Sequence, residues 1–173
     1  MSTEAFMEAD AALKQEVLSL VPQQSPFRFI DEIISLDDEQ IVGAYRFRED
    51  EYFYRGHFPG NPITPGVILI ETMAQVGVVA FGIYLLSRQK NMRPSDMKLP
   101  ISLFSLADGV EFKQMVKPGE RVVIRAKKIY FRKITIKASV SMEKENGEII
   151  CSGELSGVGV EQWKKELSLR EWA

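Results

Sequence analysis

Two side chains near the middle of this 173-residue chain could carry out proton transfer together. His57 is the only histidine in the sequence, and Glu71 follows it by fourteen positions. An imidazole suits a general base near neutral pH, whereas a carboxyl group that burial keeps protonated suits a general acid. The pair therefore predicts a site for acid–base chemistry.

The elements that must position this pair are a loop and a helix within residues 54–87. Glycines and prolines surround His57 in the stretch YRGHFPGNPITPG, which predicts a stiff and tightly turned loop. The stretch that follows is apolar on every helical face, which predicts a buried helix with Pro65 as its first residue. Glu71 on such a helix is a carboxylate that is costly to bury, so we expect its pKa to be raised.

The start of this helix offers a further functional group. The backbone N–H groups of Gly66 and Val67 should face outward there, where they could polarise a carbonyl or hold an oxyanion. The helix also approaches the length needed to cross a bilayer. Because a glycine- and proline-rich segment precedes it and Glu71 lies on it, we favour a core helix and expect no membrane span.

The rest of the chain is dominated by patterns typical of antiparallel strands. Apolar and polar residues alternate over residues 134–143, which predicts a strand with one buried face. The Asn-Gly pair at 146–147 predicts a tight hairpin of the primed type, and the Pro-Gly pair at 118–119 an earlier turn. The first two strands are expected at residues 27–33 and 41–47.

These elements predict one α+β domain over residues 1–173, in which a curved antiparallel sheet wraps one long buried helix. Residues 1–21 are expected to form a leader helix, and residues 161–173 a helical tail. The formal net charge of -2 argues against nucleic-acid binding. A single cysteine, Cys151, excludes an internal disulfide and fits a reducing cytoplasm, and together with the single histidine it makes a zinc site improbable. The start of the chain lacks the pattern of a signal peptide.

The stretch GHFPGNPITPGVILIETMAQ resembles the active-site signature of hotdog-fold dehydratases that act on 3-hydroxyacyl-acyl-carrier-protein. The segments SPFRFIDEI (Ser25 to Ile33) and FSLADGVEFKQMVKPGE (Phe104 to Glu120) are similar to further parts of that family, so the resemblance covers residues 17–160. It implies a hotdog fold and the dehydration of a 3-hydroxyacyl thioester to a trans-2-enoyl thioester, without metal or other cofactor. Fatty-acid synthesis or a related polyene or polyketide route would use such a reaction.

The resemblance also implies roles for individual residues. His57 would be the base at the α-carbon, and Glu71 the acid, or the holder of the water, at the β-oxygen. The Gly66 N–H, next to that of Val67, would bind the thioester oxygen. In this family the His and Glu that face one substrate come from two subunits, which implies a homodimer and allows a trimer of dimers. We also expect an apolar substrate tunnel, with Gln75 as a buried hydrogen-bonding scaffold. The residues expected to line that tunnel are Phe53, Phe58, Ile68, Gln75, Leu103 and Phe104.

Four positions depart from the family pattern. Gln23 and Gln24 stand where relatives usually carry a histidine, Leu103 stands at the place of a gating tyrosine, and Glu111 replaces a residue that is commonly basic. Basic side chains between residues 113 and 133 remain as candidates for docking an acidic acyl-carrier protein, and coenzyme A is the alternative carrier. A hotdog thioesterase and a non-catalytic acyl-binding protein are the alternative functions.

Overall fold

Six antiparallel strands form one open sheet in the computed structural model, which describes residues 8–160. The spatial order of the strands is β1-β2-β4-β5-β6-β3, so that β1 and β3 are the edges. The strand bounds are Glu32–Leu36 for β1, Gln40–Arg46 for β2, Ile101–Phe112 for β3, Arg121–Arg132 for β4, Thr135–Lys144 for β5 and Ile149–Val160 for β6. The predicted tail at 161–173 and the first seven residues of the predicted leader lie outside the described residues.

One long helix, Gly66–Lys90, is the centre of the core and is called the central helix below. Its middle segment, Gln75–Ala80, is a π-helical turn, and strands β2 to β6 all contact that segment. Five neighbouring strands can touch one short piece of helix only if the sheet curves around it. The prediction of a curved antiparallel sheet around one buried helix is therefore confirmed.

Glycine allows the closest approach between the central helix and the sheet. A Cβ atom added at Gly77 would lie 2.8 Å from the Cβ of Ala126 and 3.0 Å from Val140, so no larger residue fits without displacement. By length and hydropathy the helix could cross a bilayer, but 72% of its most apolar window is buried inside the domain. This degree of burial is what a core helix shows, as the sequence predicted.

The first predicted strand is wrong over its first half. Residues 27–30 belong to no strand, Phe27 lies in a bend, and β1 begins only at Glu32. The backbone N–H of Phe29 donates to the Gln75 side-chain oxygen at 2.7 Å, so this segment binds the central helix rather than a neighbouring strand. Before it, helix α1 spans Ala11–Ser19 within the predicted leader, and the Asp10 carboxylate accepts from the Leu13 N–H at 2.8 Å as its N-cap.

Both predicted turns occur at the predicted positions, but one of them is not of the predicted type. The predicted turn at Pro118-Gly119 is confirmed, since Glu120 N–H donates to Lys117 C=O at 3.3 Å and Gly119 has a φ of +82°. The predicted primed turn at Asn146-Gly147 is wrong. Only Gly147 has a positive φ there, and its N–H donates to the Lys144 carbonyl at 2.9 Å. The hairpin is therefore a longer turn followed by a glycine bulge.

Candidate active site

His57 lies in a short loop between a single 3-10 turn, Tyr52–Arg55, and the central helix. Its Nδ1 lies 2.9 Å from the carbonyl oxygen of Ile63. Because a carbonyl oxygen can only accept a hydrogen bond, Nδ1 carries the proton of the neutral ring, and Nε2 keeps its lone pair. The ring also stacks on Phe58, with centroids 4.1 Å apart. The imidazole is thus held in the orientation and tautomer that a general base at Nε2 requires.

The loop itself is fixed by its own backbone and by one buried side-chain contact. Ile63 N–H donates to His57 C=O at 3.0 Å, and Asn61 N–H donates to Phe58 C=O at 3.0 Å. The hydroxyl groups of Tyr54 and Thr64, buried beneath the loop, lie 2.7 Å apart. The predicted stiff loop around His57 is therefore present, and little ordering should be needed when a ligand binds.

Glu71 is half-buried on the second turn of the central helix. Burial raises the pKa of its carboxyl group above the ordinary value, and the amides of Gln75 and Gln23 oppose this by favouring the ionised form. The Gln75 Nε2 donates to Glu71 Oε1 at 2.8 Å. Glu71 can thus hold a proton at higher pH than an exposed glutamate, which is the property of a general acid.

Gln75 is the residue that joins Glu71 to the rest of the core. Its side chain is 0% exposed and makes three hydrogen bonds, accepting from Phe29 N–H and donating from Nε2 to Glu71 Oε1 and to the Phe27 carbonyl at 2.9 Å. Residues 71 and 75 are one helical turn apart, so Gln75 fixes the carboxylate while holding segment 27–29. This is the buried scaffold role expected from the sequence.

The N-terminus of the central helix begins at Gly66, one residue later than predicted, and Pro65 is its N-cap. The Pro65 carbonyl accepts from Ile68 N–H at 2.9 Å and from Leu69 N–H at 3.1 Å. Within residues 8–160, the N–H groups of Gly66 and Val67 have no acceptor. A Cβ atom at Gly66 would lie 3.1 Å from the Phe112 ring, so any residue with a side chain would crowd the space between this helix N-terminus and Phe112. These N–H groups are available for an oxyanion.

His57 and Glu71 are held by separate sets of contacts in this chain. Over the described part of the chain, no hydrogen bond joins them, and each has its own set of partners. Of the residues expected to line a tunnel, Ile68 is buried and Phe53 packs in an aromatic cluster with Phe29 and Phe47. The other apolar ones are exposed, Phe58 on the loop and Leu103 and Phe104 on the edge strand β3.

The structure also shows an apolar groove that the sequence did not reveal. One part lies between the central helix and the segment Leu99–Ser102, with Leu20 and Pro22 at its end, and the other part continues under Gly82 and Leu86. The two parts share Val79, Ile83, Leu99, Pro100 and Ser102. The groove forms where the central helix, the segment Leu99–Ser102 and residues of three strands, Phe131, Ile136 and Gly159, come together, so no local sequence pattern marks it.

Other groups capable of chemistry are buried or scattered. Cys151 Sγ lies 3.7 Å from the sulfur of Met73 in the core, and burial raises the pKa of this thiol to about 12, so it is not a nucleophile. Within residues 8–160, no three His, Cys, Asp or Glu side chains form a cluster that could hold a metal ion.

Comparison with known proteins identifies the family of this chain. The family model described as "FabA-like domain" matches residues 21–155. The 3-hydroxyacyl-[acyl-carrier-protein] dehydratase FabZ of Caldicellulosiruptor saccharolyticus is 36% identical over 140 residues, which cover 80% of this chain and 92% of that protein. The FabZ of Bacillus pumilus is 33% identical over 143 residues, covering 82% and 92%.

Solved structures agree on the fold. The dehydratase heterocomplex ApeI:P from Xenorhabdus doucetiae matches with a TM-score of 0.70 at 13% identity, covering 85% of this chain and 92% of that chain. The Escherichia coli PaaI protein matches with a TM-score of 0.51 at 14% identity, covering 75% and 82%. The predicted hotdog fold is confirmed. On its sequence and its fold, the chain belongs to the FabA-like family of dehydratases.

Proposed function

We propose that this protein dehydrates 3-hydroxyacyl thioesters to trans-2-enoyl thioesters, with acyl-carrier protein as the carrier. The observation that carries the proposal is the set of three groups around one helix N-terminus. These are an imidazole whose Nε2 keeps its lone pair, a carboxyl group whose pKa is raised, and two backbone N–H groups that have no acceptor among residues 8–160. The FabZ relatives named above support the reaction and the carrier.

In the proposed reaction, the thioester oxygen binds the free N–H of Gly66. His57 Nε2 takes the α-proton, and the electron pair of that C–H bond forms the new double bond between the α- and β-carbons. The β-carbon–oxygen bond breaks as the leaving oxygen takes its proton from Glu71, and water departs. Transfer of one proton from the imidazolium back to the Glu71 carboxylate, through solvent, restores the starting enzyme.

The same arrangement supports a site shared between two copies of the chain. Strand β3 is a twelve-residue edge strand that is exposed along most of its length, including Leu103, Phe104 and Leu106. A long apolar edge of this kind pairs readily with a second strand. We propose a homodimer joined along β3, in which His57 of one subunit faces Glu71 of the other. Three such dimers could associate further.

Subunit mixing tests the shared site. The variants His57→Ala and Glu71→Gln should each be inactive, but after mixing and re-annealing, some mixed dimers regain one complete site and part of the activity returns. A fluorescent label on one variant would prove subunit exchange. If exchange is complete and activity stays absent, the site is not shared.

A docking surface for the carrier is proposed beside the helix N-terminus. A surface groove there has two exposed apolar side chains and adjoins Gly66 through the Phe112 ring. Three lysines and one glutamate are among the residues that line it, which are Phe112, Lys113, Gln114, Met115, Lys117, Glu120 and Lys144. Two of these lysines have long ion pairs, Lys144 with Glu120 at 3.7 Å and Lys113 with Glu111 at 4.0 Å. Basic residues nearby are paired at shorter distances, Arg121 with Glu145 at 3.2 Å and Lys128 with Glu39 at 2.8 Å. An acidic carrier protein fits an apolar groove with a basic rim.

Charge reversal tests this surface. Changing Lys113 and Lys117 to Glu should raise KM for the carrier-bound substrate more than for the same acyl group on coenzyme A. Lys127→Glu, an exposed lysine on β4, is the matched control and should change neither KM. Equal effects of the double change on both substrates would remove the support for carrier docking.

The apolar groove along the central helix is proposed as the path of the acyl chain. Val79, Gly82 and Leu86 border this groove on the central helix, and they continue the helical spacing of Glu71 and Gln75. Gly82 lies about 16 Å along the helix axis from Glu71. An extended chain advances by about 1.2 Å per bond, so about 13 bonds reach that point. Space exists at Gly82, where a Cβ atom would meet only Ile136 at 4.0 Å. Gly82→Leu should therefore reject long acyl chains and keep short ones, and equal loss for both lengths would contradict this path.

The reaction is tested most simply with a carrier-bound 3-hydroxyacyl substrate and mass spectrometry of the acyl group. Loss of one water, absent in Glu71→Gln, is the expected result. An unchanged acyl group with wild-type protein would refute the proposal. Location in the cytoplasm and a role in fatty-acid synthesis or a related polyketide route are part of the proposal, and the FabZ relatives support them.

A further inference from the structure

Gln23 lies beside Glu71, although it belongs to a segment distant in sequence. It follows helix α1, and its backbone is held by the half-buried Arg28 guanidinium, which donates to Val21 C=O at 3.3 Å, to Gln23 C=O at 3.5 Å and to Leu18 C=O at 2.7 Å. These bonds fix the place from which the Gln23 side chain extends. The amide lies close enough to the Glu71 carboxylate to lower its pKa, as the Gln75 amide does, while the hydrogen bond that the structure gives this carboxylate comes from Gln75 Nε2 at 2.8 Å.

The oxygen of the Gln23 amide has no hydrogen-bond partner among the described residues. Gln23 Oε1 is buried and accepts no hydrogen bond from any residue that the structure describes, 8–160. Gln75 differs, because its Oε1 accepts from Phe29 N–H. A buried acceptor without a donor is destabilising, and where native proteins keep one, a ligand or catalytic role is a common reason. The unpaired oxygen therefore marks a place for a donor next to Glu71.

The proposed substrate carries one suitable donor. A 3-hydroxyacyl thioester has acceptor atoms at its carbonyl, and its hydrogen-bond donor at the reacting end is the β-hydroxyl. In the proposed reaction that hydroxyl must lie against Glu71, from which it takes a proton. The same hydroxyl can then donate its own hydrogen to Gln23 Oε1.

We propose that Gln23 is a positioning residue for the leaving hydroxyl, holding the Glu71 carboxyl group through its amide N–H and accepting from the β-hydroxyl at Oε1. The leaving oxygen is then held between the two side chains, and the departing water keeps both contacts until it leaves. This inference rests on the proposed dehydration.

The test compares two ligands that differ only in the hydroxyl. In the inactive Glu71→Gln background, the dissociation constants of a 3-hydroxyacyl thioester and the saturated acyl thioester of the same length are measured with and without Gln23→Met. Gln23→Met should weaken binding of the hydroxyacyl ligand by about tenfold and leave the saturated ligand within about twofold. Gln24→Met is the control, since the Gln24 amide is exposed and bonds only local carbonyls at 3.4 and 3.5 Å, and it should change neither constant.

Kinetics of the active enzyme test the role of Gln23 independently. Removing the amide donor disfavours ionised Glu71, so Gln23→Met should lower kcat and move the Glu71 limb of the pH profile to higher pH, while Gln23→Asn should restore part of kcat. Within the described chain, the Gln23 and Gln75 amides are the side-chain groups that act on this carboxyl group besides burial. In the proposed dimer the partner's His57 also faces it, and because Gln23→Met leaves that histidine in place, the comparison with wild type isolates the effect of the amide.

Equal loss of both ligands in Gln23→Met, or an unchanged pH limb, would assign Gln23 a merely structural role and overturn the proposal. A wild-type protein that binds both ligands but never removes water would instead refute the proposed function. The two failures are therefore distinguishable.

Discussion

Replacing Gln75 by leucine tests how the structure couples Glu71 to the fold. The change removes three hydrogen bonds and replaces the amide with an apolar side chain of similar size. It leaves the buried Phe29 N–H without an acceptor, which costs about 1–3 kcal/mol, and it removes a bond to the Glu71 carboxyl group, which contributes about 1.5–3 kcal/mol when that group is charged. The added apolar contact offsets part of this, so we expect a loss of about 3 kcal/mol in the free energy of unfolding.

Urea unfolding at fixed protein concentration measures this loss. With a slope of about 2 kcal/mol per molar urea, the midpoint should fall by about 1.5 M. Gln24→Leu is the matched control, because its amide is exposed, and it should stay within about 0.5 kcal/mol of wild type. Gln75→Leu should also lower turnover, since Glu71 loses the amide that fixes it. A midpoint within 0.3 M of wild type, on the order of the control, would refute the assignment of Gln75 as the scaffold.

Three further outcomes follow from the same structure. Gly77→Ala should destabilise the protein by about 1–3 kcal/mol in urea unfolding, because the added Cβ would lie 2.8 Å from that of Ala126; an unchanged midpoint would mean that helix and sheet are less tightly packed. Burial raises the pKa of Glu71, so the folded state holds this proton at pH values where the unfolded chain has released it, and stability contributed by this group falls as pH rises from the unfolded pKa through the folded one. Glu71→Gln should therefore be more stable than wild type above that window, and a wild-type advantage there in thermal unfolding would contradict it. Leu106→Glu on the exposed edge of β3 should raise the dissociation constant of the proposed dimer, measured by sedimentation, by tenfold or more. This corresponds to a loss of about 1.4 kcal/mol in the free energy of association, and an unchanged constant would place the interface elsewhere.

Much of the fold could be predicted because its signals are local. The apolar run after Pro65 and the alternation over residues 134–143 each determine one element, and both elements are present at those positions. The predicted strand is wrong over residues 27–30, because their aromatic and aliphatic side chains satisfy the strand pattern without forming a strand. Its hydrogen-bond partner is the side chain of Gln75, 46 residues away, and no local pattern encodes such a bond.

The candidate site, too, can be predicted from the sequence only in part. The identities of His57 and Glu71 follow from their residue types and from the family signature, and the predicted start of the helix differs from the observed one by one residue. The tautomer of His57, by contrast, depends on a contact with the Ile63 carbonyl, and the loop geometry alone decides it. The unpaired oxygen of Gln23 depends on how three separate segments meet, so the sequence could show only that an unusual residue stands there.

The measurement that tests the central claim most directly is made on one sample of wild-type protein with a crotonyl thioester, run in the hydration direction. Enoyl absorbance and free thiol are followed together, with Glu71→Gln as the parallel sample. The proposed dehydratase should consume the enoyl signal without releasing thiol, and the variant should do neither. Release of thiol would instead show hydrolysis of the thioester, and it would contradict the assignment of His57 and Glu71 to the removal and addition of water.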